Sequence, residues 1–308
     1  MKILLVRPRG FCAGVNRAVE TLSLLCDRAS GPIYAFHEIV HNFWVVDHFR
    51  KRGVRFVESL EEIPEGGTVL FSAHGISPAV RERARTRSLK TIDATCPLVA
   101  RVHQLAKQLA RDGFHIFLLG HPGHQEVIGT LGEAPEKMTL VSTAAEARTL
   151  PPDTGGPTGT KRTYLMQTTL SDEGWREIVA ALRERFPDLI DPPGAGVCFA
   201  TRNRQEAVRQ IAPESDAVLV VGSRNSSNSK RLAELGEKSG NPSYLIDGPV
   251  DIDPKWFTAD STILMTAGAS APEEILDLCV KRLAELFDVE VVERVVCEEN
   301  VTFSAPAE

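Results

Sequence analysis

The chain has 308 residues, with 35 basic against 41 acidic side chains, a net charge of −6 and 6% aromatics. That balance excludes a nucleic-acid surface built from basic stripes and stacking rings, and the length predicts two or three compact units with real cores. The opening run, Met1-Lys2-Ile3-Leu4-Leu5-Val6-Arg7-Pro8, is too short for a signal peptide, and no later stretch reaches membrane-spanning length without charges or breakers, so a cytoplasmic protein is expected.

One device recurs along the chain: an apolar, β-rich run ends in small polar residues, and a helix start follows. Residues 2–6 lead into Arg9-Gly10-Phe11-Cys12-Ala13-Gly14, and residues 68–72 into Ala73-His74-Gly75 before Ser77-Pro78. Asp93-Ala94-Thr95-Cys96-Pro97 comes next, and residues 115–119 then run into Gly120-His121-Pro122-Gly123-His124. The Pro/Gly/Thr stretch 151–160 is read as an excursion inside a unit, because Tyr164-Leu165-Met166-Gln167-Thr168-Thr169 follows it as another strand and loop. Further on, Cys198 stands in Gly196-Val197-Cys198-Phe199, residues 217–221 precede Asn225-Ser226-Ser227-Asn228, and residues 262–267 precede Gly268-Ala269-Ser270. Pro78, Pro97 and Pro272 suit the first helical position, where the missing N–H costs nothing.

Strands alternating with helices predict an α/β fold of mainly parallel sheets, with functional loops at the carboxyl ends of the strands. Cys12, Cys96 and Cys198 divide the chain into pieces of about one hundred residues, the size of a small α/β unit. The expected units are 1–96, 97–195 and 196–286, with a last segment, 287–308, folding back over the core.

Six cysteines in a reducing compartment should be thiols or metal ligands. Cys12, Cys96 and Cys198 share one setting, the loop before a helix start, where unpaired N–H groups and the positive end of the dipole favour a thiolate. They read as one ligand set for iron or zinc, with a coordination position left for substrate. Cys26 and Cys279 fall inside helix-like apolar patterns and read as packing residues, and Cys297 has no helix start after it and reads as structural.

His41, His74, His121 and His124 all stand in Gly- or Asn-bearing loops. A lone loop histidine is most often simply solvated, but several at strand ends point to a site. His124-x-Glu126 lacks the i, i+4 histidine pair of the zinc proteases. Asn225-Ser226-Ser227-Asn228-Ser229, between a strand and a helix, suits a phosphate, although a helix cap needs only one of these residues. Ser270 offers a second such place. No dinucleotide or phosphate-loop glycine fingerprint is present, so no nucleotide cofactor is indicated. Glu126 and Thr168 are the remaining candidates, since a carboxylic acid beside a buried metal site has its pKa raised by desolvation and can donate a proton.

These strings resemble a known family. Arg9-Gly10-Phe11-Cys12-Ala13-Gly14, His37-Glu38-Ile39-Val40-His41-Asn42, Ser72-Ala73-His74-Gly75, Asp93-Ala94-Thr95-Cys96-Pro97, Gln167-Thr168-Thr169, Ala200-Thr201-Arg202-Asn203-Arg204-Gln205, Val221-Gly222-Ser223-Arg224-Asn225-Ser226-Ser227-Asn228-Ser229 and Thr266-Ala267-Gly268-Ala269-Ser270 occur in the order seen in 4-hydroxy-3-methylbut-2-enyl diphosphate reductases. The resemblance implies a trefoil of three α/β units around a central [4Fe–4S] cluster held by Cys12, Cys96 and Cys198. It implies reductive removal of the allylic hydroxyl of (E)-4-hydroxy-3-methylbut-2-enyl diphosphate, the last step of the non-mevalonate isoprenoid route, giving isopentenyl and dimethylallyl diphosphates. His41, His74, His124, Ser226, Ser227, Asn228 and Ser270 would hold the diphosphate, and Glu126 with Thr168 would manage protons at the alcohol. Many members read Pro-Glu-Val-Glu after the last of these histidines; Gln125-Glu126-Val127-Ile128 keeps the first acid. Three thiolates leave one iron of a cubane without a protein ligand, two electrons and protons complete the reaction, and ferredoxin or flavodoxin would deliver the electrons.

Two other classes remain open on the residues alone. A zinc-dependent hydrolase of a phosphorylated small molecule could use the same Cys and His set, and a non-catalytic phosphate-binding or redox-sensing protein could hold a cluster without turning anything over.

Overall fold

The computed structural model describes residues 1–29, 31–157, 159–194 and 196–306. Its strands are β1 (Lys2–Arg7), β2 (Ile33–Phe36), β3 (Arg55–Val57), β4 (Thr68–Phe71), β5 (Lys90–Asp93), β6 (His115–Leu119), β7 (Met138–Val141), β8 (Arg162–Met166), β9 (Leu189–Ile190), β10 (Ala217–Val221), β11 (Ser243–Ile246), β12 (Thr262–Ala267) and β13 (Glu290–Val295). The α-helices are α1 (Ala13–Arg28), α2 (Phe43–Lys51), α3 (Pro78–Thr86), α4 (Pro97–Arg111), α5 (Gln125–Leu131), α6 (Ala144–Thr149), α7 (Asp172–Arg185), α8 (Phe199–Ile211), α9 (Ser227–Lys238) and α10 (Glu273–Leu286). No helix among the described residues is long and apolar enough to cross a membrane.

The strands form three sheets, in the orders β11-β10-β12-β1-β13, β3-β2-β4-β5 and β7-β6-β8-β9, and every pairing in them is parallel. The α/β architecture with three parallel sheets is the one expected from the alternating pattern. The expected boundaries differ from the observed ones. Strand β1, inside the expected piece 1–96, pairs with β12 and β13, and the segment 287–308 contributes β13 as an edge strand beside β1. A parallel sheet accepts strands from distant parts of the chain, so contiguous pieces need not be its units.

By internal contacts the chain divides into two compact units, Met1–Ser23 with Glu38–Gly53 and Phe199–Ser304, and Leu24–His37 with Val54–Cys198. The first holds the five-stranded sheet. Ile3 and Leu5 of β1 face a cluster with Leu276, Cys279 and Leu283 of α10, while Leu4 and Val6 face Val208 of α8 and Leu232 and Leu235 of α9. This period-two alternation with apolar residues on both faces is what a central strand covered by helices requires.

Close approach of α9 to the sheet depends on glycine. A Cβ at Gly222, just past β10, would lie 2.7 Å from the Ser229 Cβ and 2.2 Å from its Oγ. Gly222→Ala is therefore expected to cost about 1–3 kcal/mol by overpacking, seen as a lowered denaturant midpoint with an unchanged slope.

The second unit holds the two four-stranded sheets. Phe36, Val57, Val69 and Phe71 pack one core, and Phe117, Leu119, Tyr164 and Met166 pack another with Trp175, Val179 and Leu182 of α7. Pro78 and Pro97 occupy the first helical positions of α3 and α4 as expected, whereas Pro272 falls one position earlier, at the N-cap of α10.

Candidate functional site

Each sequence candidate lies past the carboxyl end of a strand, where parallel α/β sheets place their ligand loops. Cys12 follows β1, His41 follows β2, His74 follows β4, Cys96 follows β5, His124 and Glu126 follow β6, and Thr168 follows β8. Cys198 follows β9 and immediately precedes α8, Ser226 to Asn228 follow β10, and Ser270 follows β12.

In the first unit, the ends of β1, β10 and β12 bring one group of candidates together. The Cys12 N–H donates to the Ala269 carbonyl at 3.1 Å, and the Cys12 carbonyl accepts from Asn16 N in the first turn of α1 at 2.9 Å. Ser226 caps α9, its Oγ accepting from Ser229 N at 3.3 Å, so the capping role foreseen for one residue of this run falls to Ser226. Ser270 Oγ donates to the His41 carbonyl at 3.0 Å and lies 3.4 Å from Ser226 Oγ. Asn228 Oδ1 accepts from Ala269 N at 2.9 Å. Asn228 is 3% exposed, and its Nδ2 has no hydrogen-bond partner among the described residues. A buried amide donor left without an acceptor is costly.

Two residues that sequence reasoning passed over complete this group. Glu38 Oε2 lies 3.1 Å from His41 Nδ1 and accepts from Asn225 Nδ2 at 2.8 Å. The hydrogen bond to His41 leads the effects that hold the Glu38 carboxyl below its ordinary value, against the opposing effect of burial. An ionised Glu38 accepts only, so His41 Nδ1 carries the proton it donates. The signal was there in His37-Glu38-Ile39-Val40-His41, an acid three residues before the histidine. Ser223 Oγ accepts from Phe43 N at 2.9 Å, and Trp44 Nε1 donates to the Asp247 carbonyl at 2.7 Å. These two bonds anchor the start of α2, and with it the His41 loop, on the loops of the five-stranded sheet.

In the second unit, Glu126 stands in the first turn of α5 and is 3% exposed. Its Oε1 accepts from Thr168 N at 2.6 Å and its Oε2 from Thr168 Oγ1 at 3.0 Å. Burial pushes its carboxyl up to about 7, although both bonds from Thr168 pull the other way. The Thr168 carbonyl accepts from Cys198 N at 3.1 Å. Thr168 thus binds the acid through two donors and the cysteine loop through its acceptor.

His124 is the N-cap of α5, and its Nδ1 accepts from Glu126 N at 3.2 Å. A backbone N–H can only donate, so the proton of the neutral ring sits on Nε2. The rings of His74 and His124 meet edge to face, with centroids 5.6 Å apart. Cys96 lies beside the same strand end, its N–H donating to the Ala73 carbonyl at 3.0 Å. Its loop is folded by Asp93, whose Oδ1 accepts from Thr95 N at 2.9 Å. Burial raises the Asp93 carboxyl, and the Thr95 bonds with the Arg81 ion pair outweigh that and leave it lowered.

Gln167 is a third residue that sequence reasoning quoted without a role. It is 1% exposed; its Oε1 accepts from His121 N at 3.0 Å and its Nε2 donates to Thr169 Oγ1 at 2.8 Å. It locks the loop of His121 and His124 to the loop of Thr168.

None of the six cysteines is in a disulfide. Cys279 is fully buried, and desolvation pushes its thiol up to about 12, which fits the packing role. Cys26 is only half-buried, less enclosed than its apolar pattern predicts, because it lies near the last turn of α1. Within each unit, no three described His, Cys, Asp or Glu side chains are grouped to hold a metal ion. Cys12 belongs to the first unit, and Cys96 and Cys198 to the second.

Comparison with known proteins settles the family. Residues 3–284 match the model of the family described as LytB protein. The chain belongs to the LytB protein family. It is 48% identical to the 4-hydroxy-3-methylbut-2-enyl diphosphate reductase of Rhodopirellula baltica, over 99% of this chain and 95% of that one. It is 49% identical to 4-hydroxy-3-methylbut-2-enyl diphosphate reductase 2 of Mycobacterium bovis, over 99% of this chain and 92% of that one. Among solved structures, the E-1-hydroxy-2-methyl-but-2-enyl-4-diphosphate reductase of Plasmodium falciparum superposes with a TM-score of 0.93 at 36% identity, covering 99% of this chain and 95% of that one. Membership of the LytB family accounts for the ordered run of motifs from the Cys12 loop to Ser270.

Proposed function

We propose that this chain is a 4-hydroxy-3-methylbut-2-enyl diphosphate reductase of the non-mevalonate pathway, carrying a [4Fe–4S] cluster on Cys12, Cys96 and Cys198. The names of its LytB relatives and the buried Glu126–Thr168 pair joined to the Cys198 loop support this reading. The donor set suits such a group: three cysteines outside any disulfide, each following a strand and beside a helix start. When bound, the cluster would relay two electrons, one at a time, from the external carrier to the substrate and would offer a Lewis-acidic iron without a protein ligand.

The chain's own residues do the rest. Hydroxide is a poor leaving group, so the allylic alcohol needs a proton as its C–O bond breaks. Glu126, with a carboxyl held near 7, is protonated on a useful fraction of molecules at neutral pH and can give that proton through Thr168 Oγ1. Burial also keeps bulk water from the acid.

The diphosphate falls to Ser226, Ser227, Asn228, Ser270, His41, His74 and His124. The N-terminus of α9 contributes backbone N–H groups and a favourable dipole to that anion. His124 presents a proton on Nε2, and Asn228 has a buried donor to give. An external one-electron carrier, of the ferredoxin or flavodoxin kind, supplies the electrons in this reading, and the reaction takes place in the cytoplasm.

The deciding experiment is anaerobic turnover of (E)-4-hydroxy-3-methylbut-2-enyl diphosphate with an artificial reductant. Formation of isopentenyl and dimethylallyl diphosphates is expected; no product from a cluster-loaded chain contradicts the proposal. Asn228→Asp keeps the acceptor for Ala269 N–H but exchanges the buried donor for a carboxylate. It is expected to raise KM by about five- to 150-fold, from the loss of roughly 1–3 kcal/mol of hydrogen bonding, with iron content unchanged. An unaltered KM would remove Asn228 from the diphosphate site.

A further inference from the structure

Arg204 of α8 is 1% exposed at its side chain, yet none of the chemistry above uses it. Its guanidinium donates to the Gly10 carbonyl from Nη2 at 2.9 Å and Nε at 3.3 Å, and to the Ala200 carbonyl from Nη1 at 3.0 Å. Nη1 also reaches both carboxylate oxygens of Glu299, at 3.1 and 3.0 Å, and Asn203 Nδ2 donates to the same carboxylate at 3.0 Å. Gly10 lies two residues before Cys12, and Ala200 two residues after Cys198. One buried cation therefore ties the approach to the first candidate thiol to the opening turn of the helix that follows the third.

The Cys12 loop is held from the sheet side by Gly10 N–H to the Ala267 carbonyl at 3.2 Å and Cys12 N–H to the Ala269 carbonyl at 3.1 Å. Beside the ends of β1 and β13, a cavity of about 520 Å³ opens, lined by Arg9, Phe11, Arg204, Cys297, Glu299 and Asn300 among others. The other arginines at this cavity are engaged elsewhere, Arg7 with Glu293 and Arg9 with Glu273 and Glu293. Gly10 adopts φ +68°, a conformation open to glycine without a Cβ penalty. None of the described residues 296–306 is fully buried; Val296 packs against the core beside α8 and α9 and donates its N–H to the Arg7 carbonyl at 3.0 Å, and further along the segment lie the contacts of Glu299 and the bond from Arg17 Nε to the Ser304 carbonyl at 2.7 Å.

We infer that Arg204, with Glu299 as its counterion, is a positioning residue for the Cys12 thiol, so that the C-terminal segment belongs to the outer shell of the cluster site. This rests on the proposed function, because it takes Cys12 as a ligand. Outer-shell groups fix the orientation of ligands and thereby set how firmly a metal centre is kept. Removing Glu299 leaves a buried charge uncompensated and frees the guanidinium to leave the Gly10 carbonyl.

The test uses the full chain reconstituted without oxygen, as wild type, Glu299→Gln, Arg204→Lys and Arg204→Met. Iron and acid-labile sulfide per chain are measured, then the rate of iron loss to a chelator is followed by visible absorption. Gly236→Ala, whose Cβ would lie 2.8 Å from Val218 Cγ2 near the far end of α9, serves as a control that weakens the fold away from the Cys12 loop, and thermal unfolding of each cluster-free chain reports stability. Glu299→Gln and Arg204→Met are expected to lose iron about tenfold faster or more, beyond Gly236→Ala at equal loss of stability, with Arg204→Lys between them and wild type. Retention equal to wild type in both Glu299→Gln and Arg204→Lys, or loss that only tracks stability as in Gly236→Ala, would overturn the inference. A wild-type chain that takes up no iron and sulfide would instead overturn the proposed function, and this inference with it.

Discussion

Glu126→Gln is expected to keep the fold, the cluster and the affinity for substrate while turnover drops by about 10²–10⁴, the range over which a positioned acid normally contributes. Gln is nearly isosteric and still offers Oε1 to Thr168 N, so the α5 and Thr168 loops have no reason to separate. The missing element is the proton. In the wild type, kcat should fall as pH rises through about 7, because the protonated carboxyl is the active form; in the variant that limb should be flat. Unchanged turnover, or an unchanged pH limb, would move the acid elsewhere.

The same carboxyl leaves a mark on stability. Its folded value, about 7, lies above the ordinary 4.5, so the folded chain binds this proton more tightly than the unfolded chain does. The resulting stabilisation is fully present below about pH 4.5, declines as pH rises, and is lost once pH passes about 7. Its size is on the order of 3 kcal/mol. Glu126→Gln should flatten the unfolding free energy across that window and match or exceed wild type at its upper end.

Cys198→Ser is expected to abolish stable cluster content, since a hydroxyl does not replace a thiolate on iron and two remaining thiols do not retain a cubane. Cys96→Ser and Cys12→Ser should behave alike, whereas Cys279→Ser, at a buried packing position, should keep full iron and sulfide. Iron and acid-labile sulfide per chain after anaerobic reconstitution separate the two outcomes. Full content in Cys198→Ser would strike it from the ligand set.

Much of this was legible in the sequence because local rules and fold rules point the same way. Apolar runs ending in Gly, Ser or His marked most of the strands, and the rule that ligand loops follow strands placed Cys12, His74, Cys96, Ser226 and Ser270 on strand-to-helix loops and Glu126 in the first turn of the helix after one. What escaped was anything set by pairing across the chain. Nothing local says that β1 joins β12 and β13, since hydrophobic alternation reports a strand's faces but not its neighbours. Gln167 reads as a loop amide until its two partners, 46 and 2 residues away, are seen. Glu299 reads as a tail charge until Arg204 is found 95 residues earlier. The raised carboxyl of Glu126 was anticipated from its chemistry, but its twofold grip by Thr168 depends on two strand ends meeting and had no local signature.

The proposed chemistry requires three thiols sharing one cubane with a corner left for the substrate. Mössbauer spectroscopy of the anaerobic, iron-57-loaded chain, recorded with and without the allylic diphosphate, tests that directly. The prediction is a [4Fe–4S] spectrum in which one iron site out of four changes on adding substrate while the others hold. A chain without such a cluster, or one whose four sites stay equally indifferent to substrate, would contradict it.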